Sequence, residues 1–161
     1  MTRRFDRLDE VWPAGLGRRL GAMCYDGLLI LAIWIGLAAI HVLASRLLLG
    51  LPAERLGVGV IQVMSLRGLL LFGAFAFFAF FWMRGGMTLG MQAWRLRVQT
   101  TEGKAIGLRQ SLVRYLVGAL SWGIFGLGHL WVLFDAERRS WADIASGTRV
   151  VVLPGKPRKG G

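Results

Sequence analysis

Three long apolar stretches set the pattern of this chain. The first runs from Leu20 to Leu43 and is broken only by Asp26 and His41. Its length predicts a transmembrane helix, because the hydrocarbon core takes about 20 residues at 1.5 Å each. The second runs from Val58 to Met83, with Arg67 near its start and the dense run GLLLFGAFAFFAFFWM behind it. The third, Leu112 to Phe134, is long enough to cross once, but glycines at 123, 126 and 128 fall in its middle. Glycines there permit a break, so the segment is either a single span or a hairpin.

Between these stretches the period changes. LASRLLLGLPAERLG is a short loop with room for one interfacial turn of helix. After the second span, Met87, Met91, Trp94 and Val98 recur at helical spacing with arginines following, which predicts an interfacial amphipathic helix. Next, WRLRVQTTEGKAI alternates and carries a turn signal at Glu102-Gly103, and GTRVVVL near the end is β-branched. Strands at 95–101 and 147–153 would each leave backbone groups unpaired, so they are expected to pair on one side of the membrane. The expected fold is therefore an all-α polytopic membrane protein: two long transmembrane helices, a Gly-broken third segment and this small cytoplasmic β-pairing. The divisions are a cytoplasmic N-terminal segment at 1–17, a transmembrane domain at 18–153 and a flexible basic tail at 154–161.

Composition supports the membrane assignment. The chain has 161 residues, 55% of them hydrophobic, a formal charge of +11 and a mean hydropathy of +0.52. Its Lys and Arg residues flank apolar runs rather than forming one stripe, which argues against nucleic-acid binding and for anionic headgroups of the lipid bilayer. Basic residues crowd the N-terminal segment (Arg3, Arg4, Arg7, Arg18, Arg19), the loop before the third stretch (Arg84, Arg95, Arg97, Lys104, Arg109) and the C-terminus. The first loop is poorer, and a hairpin in the third stretch keeps all three basic segments on the cytoplasmic side. The single cysteine, Cys24, excludes an internal disulfide and is expected to be a small buried hydrophobe. His41 and His129 stand alone, so neither a metal nor a cofactor is expected.

Asp26 is the acid deepest in an assured span. Insertion of an acid at a helix centre costs about 2.5–3.5 kcal/mol, less near the ends, so it needs a partner or a task. It either pairs with a basic group such as Arg114 and holds helices together, or binds an ion or proton. In FDAERRSWADIASGTRVVV, Asp135 is placed to cap a helix ending near Ser146, with Asp135–Arg139 and Arg139–Asp143 both at i, i+4. Trp141 suits a headgroup anchor. No nucleophile, base and orienting group stand together, so a catalytic role is not expected.

Three motifs, RRLGAMCYD (Arg18 to Asp26), GMTLGMQAWRLRV (Gly86 to Val98) and FDAERRSWADIASGTRVVV (Phe134 to Val152), make the chain resemble the RDD family of small bacterial membrane proteins. One departure is Met87, where the family often has a polar residue. By motif position the name-giving arginine and aspartates correspond to Arg19, Asp135 and Asp143. The resemblance implies an inner-membrane protein with transport suggested in general terms and no enzymatic activity. It also implies that Arg19 meets Asp135 or Asp143, so Arg19, Asp135, Asp143, Arg114 and Arg139 form the candidate structural charge cluster and Asp26 the candidate ion or proton site. Two functions compete: transport or ion coupling through Asp26, which so few spans allow only in a homo-oligomer or with a membrane partner, and a non-catalytic scaffold or accessory subunit.

Overall fold

The computed structural model describes Phe5 and residues 10–155. The tail expected at 154–161 therefore lies outside it except for Pro154 and Gly155, as does most of the first nine residues. The described chain is mainly helical and carries one three-stranded antiparallel sheet of order β1-β3-β2. In chain order come β1 (Trp12–Pro13), α1 (Leu16–Leu49), α2 (Val60–Gly85), α3 (Leu89–Ala93), β2 (Leu96–Thr100), α4 (Leu108–Gly123), α5 (Leu127–Leu130), α6 (Trp141–Ser146) and β3 (Thr148–Val152).

Helices α1 and α2 are long and apolar enough to cross a membrane. α1 contains no proline and stops where Gly50 takes a positive φ of 61° and Pro52 follows, a stop that only glycine makes without strain. Its 34 residues span about 51 Å, well beyond a hydrocarbon core of about 30 Å. The apolar side chains on both helices, such as Leu28, Ile35, Leu47 and Phe72, are exposed, as lipid-facing groups are. Cys24 is exposed too, contrary to its expected burial, because it falls on that outward face.

Two compact units divide the described chain. The one formed by 27–77 contains residues 27–49 of α1, residues 60–77 of α2 and the turn at Ala53–Arg55 that the loop composition anticipated. Trp34 donates to the Leu70 carbonyl at 2.9 Å, and Ser45 to Gln62 at 3.1 Å, giving buried polar groups a partner inside the unit.

The other unit joins the first turns of α1 to the described chain from Phe78 onward. Strands β2 and β3 pair as the alternation predicted, with Leu96 opposite Val152 and Val98 opposite Val150. These four fill the core with Ala14, Ala22, Trp82, Met91 and Ile106. The third strand was not foreseen: Trp12 and Pro13 pair with Val152 and Val151. A two-residue run ending in proline carries no strand period, and its edge position tolerates the missing N–H.

Two other expectations are corrected, and the expected break in the third stretch is present. The amphipathic helix over Met87 to Val98 is only α3, because Arg95 at φ 56° breaks it and the chain enters β2 at once. The helix after Phe134 begins at Trp141 under a Ser140 cap, not at Asp135. The third apolar stretch is broken between α4 and α5, where Phe125 and Gly126 both have positive φ, and the two arms meet at 108°.

Candidate charge cluster and buried carboxylate

Asp143 is fixed by the helix it starts. Ser140 caps α6, its hydroxyl accepting from the Asp143 N–H at 3.3 Å, while the Ser140 N–H donates to Asp143 Oδ2 at 3.0 Å. This reciprocal box aims the carboxylate inward, where it has no exposure at all. Arg19 Nη1 donates to Oδ2 at 2.7 Å and Arg114 Nη1 to Oδ1 at 2.6 Å. The rest of Arg19 is equally occupied: Nε donates to the Ala14 carbonyl and Nη2 to the Arg138 carbonyl. Arg114 Nη1 also donates to Thr148 Oγ1 at 2.5 Å. One carboxylate therefore ties the start of α1 to α4, α6 and β3.

Burial pushes the Asp143 carboxyl up, but the charges of Arg114 and Arg19 and the Ser140 N–H outweigh it and hold it below its ordinary value. A dry ion pair of this kind gains little net stability against an apolar replacement, yet losing one member leaves a buried charge alone.

Asp135 and Arg139 do not join this cluster. They form their own partly exposed pair, with Arg139 Nε on Asp135 Oδ2 at 3.0 Å and Nη2 on Oδ1 at 3.1 Å. The N–H groups of Arg139 and Glu137 donate to the same Oδ2, closing a turn ahead of α6. The Arg139 side chain and backbone N–H bring the Asp135 carboxyl down to about 2, and Asp135 raises Arg139 in return. The i, i+4 pairing expected between Arg139 and Asp143 gives way because the capping box turns Asp143 inward.

Asp26 lies seven residues after Arg19 on α1, about 10 Å along the axis, and its residue exposure is 4%. Thr88 Oγ1 donates to its Oδ2 at 2.5 Å and the Gly90 N–H to its Oδ1 at 2.8 Å. Thr88 also accepts from the Met91 N–H and so caps α3 while serving Asp26. Gly90 is required by contact rather than by conformation: a Cβ there would run into the Ala22 carbonyl oxygen and the Asp26 carboxylate. The expected pairing of Asp26 with Arg114 does not occur, since Arg114 is held by Asp143 and Thr148.

Thr88, Gly90, Ser140 and Thr148 were missed as site residues. Only the caps left a local signal, in Thr88 and Ser140 each three residues ahead of the N–H they accept from. His129, expected to stand alone, packs against Trp122 at 5.1 Å between ring centres, and its backbone N–H donates to Ser121 Oγ. Trp141, expected as a headgroup anchor, is half-buried and lies 6.3 Å from the Trp131 ring.

No match emerges among curated proteins or among solved structures. Residues 13–147 do match the sequence model of the RDD family, a stretch that contains Arg19, Asp26, Thr88, Arg114 and Asp143 and most of the chain, and the protein belongs to that family.

Proposed function

We propose that this integral membrane protein is a multi-pass protein of the bacterial cytoplasmic membrane, with its N-terminus inside, whose Asp26 is the ion- or proton-exchanging group of a transport function. The observation that carries the reading is the company Asp26 keeps. Its carboxylate is buried in a candidate span and receives its hydrogen bonds from a hydroxyl and a peptide N–H, while Arg19 and Arg114 are both committed to Asp143. A carboxylate held by neutral donors in an apolar segment can take up a proton or a cation without breaking an ion pair. Two spans, or three with the bent α4–α5 pair, enclose no pathway by themselves, so transport requires a homo-oligomer or a membrane partner. The basic segments suit anionic headgroups on the cytoplasmic side, which a re-entrant α4–α5 pair would preserve. No enzymatic step belongs to this reading.

The second reading is a scaffold or accessory subunit, and it too has an observation behind it. The Asp143 network joins α1, α4, α6 and β3, as a docking device would. Flux in liposomes separates the two. Wild type should carry proton, sodium or potassium flux, and Asp26→Asn should stay folded and inserted while losing its pH dependence. Unchanged flux in Asp26→Asn removes Asp26 as the coupling residue, and no flux in wild type for any of the three ions favours the scaffold.

A further inference from the structure

Arg114 is 8% exposed, and both of its hydrogen bonds among the described residues leave from Nη1, to Asp143 and Thr148. Its Nε is buried without a partner. The Nε–Nη2 side of the guanidinium is therefore unused, and that side is the flat two-donor fork that matches a carboxylate or phosphate. A second orphan belongs to the ring that the guanidinium covers. Trp82 is 9% exposed, its indole Nε1 is also buried without a partner, and the Arg114 guanidinium sits 5.2 Å from the Trp82 ring centre. Buried N–H groups are rarely left unsatisfied, so two on paired side chains call for an acceptor.

Charge points the same way. The buried cluster contains two guanidiniums, Arg19 and Arg114, against the one carboxylate of Asp143, which leaves one positive charge unmatched. The location narrows the acceptor. Trp82 lies three residues before the end of α2, and Arg19 lies three residues after the start of α1, so both lie near ends of the candidate spans, the ends that meet headgroup phosphates when such helices are inserted.

We propose that the Nε–Nη2 edge of Arg114, seated over the Trp82 ring and joined by the indole N–H of Trp82, is a binding site for a phosphate oxyanion. The phosphate comes either from an anionic lipid headgroup or from solution. The site rests on the membrane assignment and not on ion coupling by Asp26.

The test uses the full chain purified in a phosphate-free nonionic detergent. It is titrated at constant ionic strength with inorganic phosphate, with phosphatidylglycerol and with a phosphate-free glycolipid, and Tm is followed. A saturable rise is expected with at least one phosphate source and none with the glycolipid. Response to phosphatidylglycerol alone identifies a headgroup site, and response to inorganic phosphate as well identifies a site open to soluble ligands. Arg114→Lys keeps the charge and removes the fork, so half-saturation should weaken at least about tenfold, as loss of a charge-assisted hydrogen bond implies. Trp82→Phe keeps an aromatic face, though a smaller one, and removes the indole N–H, and should weaken it several-fold even if the lysine variant fails to fold. No saturable response to either phosphate source, or wild-type titrations in Trp82→Phe and in folded Arg114→Lys, overturns the proposal. Binding is read without flux, so failure of ion coupling leaves this result intact and failure here leaves the flux result intact.

Discussion

Replacing Asp143 by asparagine changes almost no volume but removes the charge that two buried arginines share. The amide oxygen can keep one set of contacts, either Arg19 with the Ser140 N–H or Arg114. The NH2 group must then face the other guanidinium, donor against donor, in a site with no solvent exposure. Removing one member of such a buried pair costs about 3–5 kcal/mol, most of it the stranded charge rather than the lost bond. For a chain of this size that corresponds to a Tm lower by roughly 6–20 °C, at about 2–4 °C per kcal/mol. Thermal unfolding of the purified protein in detergent measures it, with Asp135→Asn as the control. The control removes a pair at the surface that water screens, and should leave Tm almost unchanged. If Asp143→Asn unfolds at the wild-type temperature, or if Asp135→Asn loses as much, then Asp143 does not hold the helices together and the cluster's geometry has been given the wrong weight.

Gly90→Ala should disrupt the seat of Asp26, since the new methyl meets the Ala22 carbonyl and the carboxylate; a lower Tm together with altered flux is expected, and wild-type values in both would refute the close approach. Asp143 and Asp135 both have folded-state values below the ordinary 3.8. Their stabilisation is therefore complete above that value and lost as pH falls through the folded-state values, so Tm should drop as pH falls below about 4, with Asp143→Asn flattening the fall and the screened pair of Asp135 contributing little to it. With Cys24→Ser as background, single cysteines at Ala53, Glu102 and Gly160 should react with an impermeant thiol reagent in intact cells only at 53; labelling at 160 with 102 protected would mean that the bent α4–α5 pair crosses once.

What could be read beforehand was whatever has a local period or a length. α1 and α2 announced themselves by apolar length, and β2 and β3 by alternation and β-branching, with their pairing forced by unmet backbone groups. The glycines in the third stretch marked a break, although the 108° bend depends on Phe125 and Gly126 taking positive φ together. The partners of the acids were not legible. Arg19 reaches Asp143 across 124 positions and Thr88 reaches Asp26 across 62, and nothing local encodes such distances. Spacing also misled: i, i+4 favoured Arg139 with Asp143, but the capping box decided where Asp143 points. A length-based signal overreached at Met87 to Val98, where helical spacing persisted through a stretch that the chain uses as a turn and a strand.

The sheet order has a consequence for biogenesis. β3 is the last of the described elements in chain order and the middle strand of three, so Trp12–Pro13 and Leu96–Thr100 each hydrogen-bond to a segment that is synthesised after both. Until β3 has left the ribosome, β1 and β2 have no neighbour in the sheet, and until Asp143 has left it Arg19 lacks its partner carboxylate. The two long helices are complete by Gly85 and can enter the bilayer on apolar length alone. Insertion thus comes first and closure of the sheet last. A chain stopped after Gly147 would retain both long helices and α6 but lack the strand that joins β1 to β2, so the sheet can close only once this five-residue strand has been made.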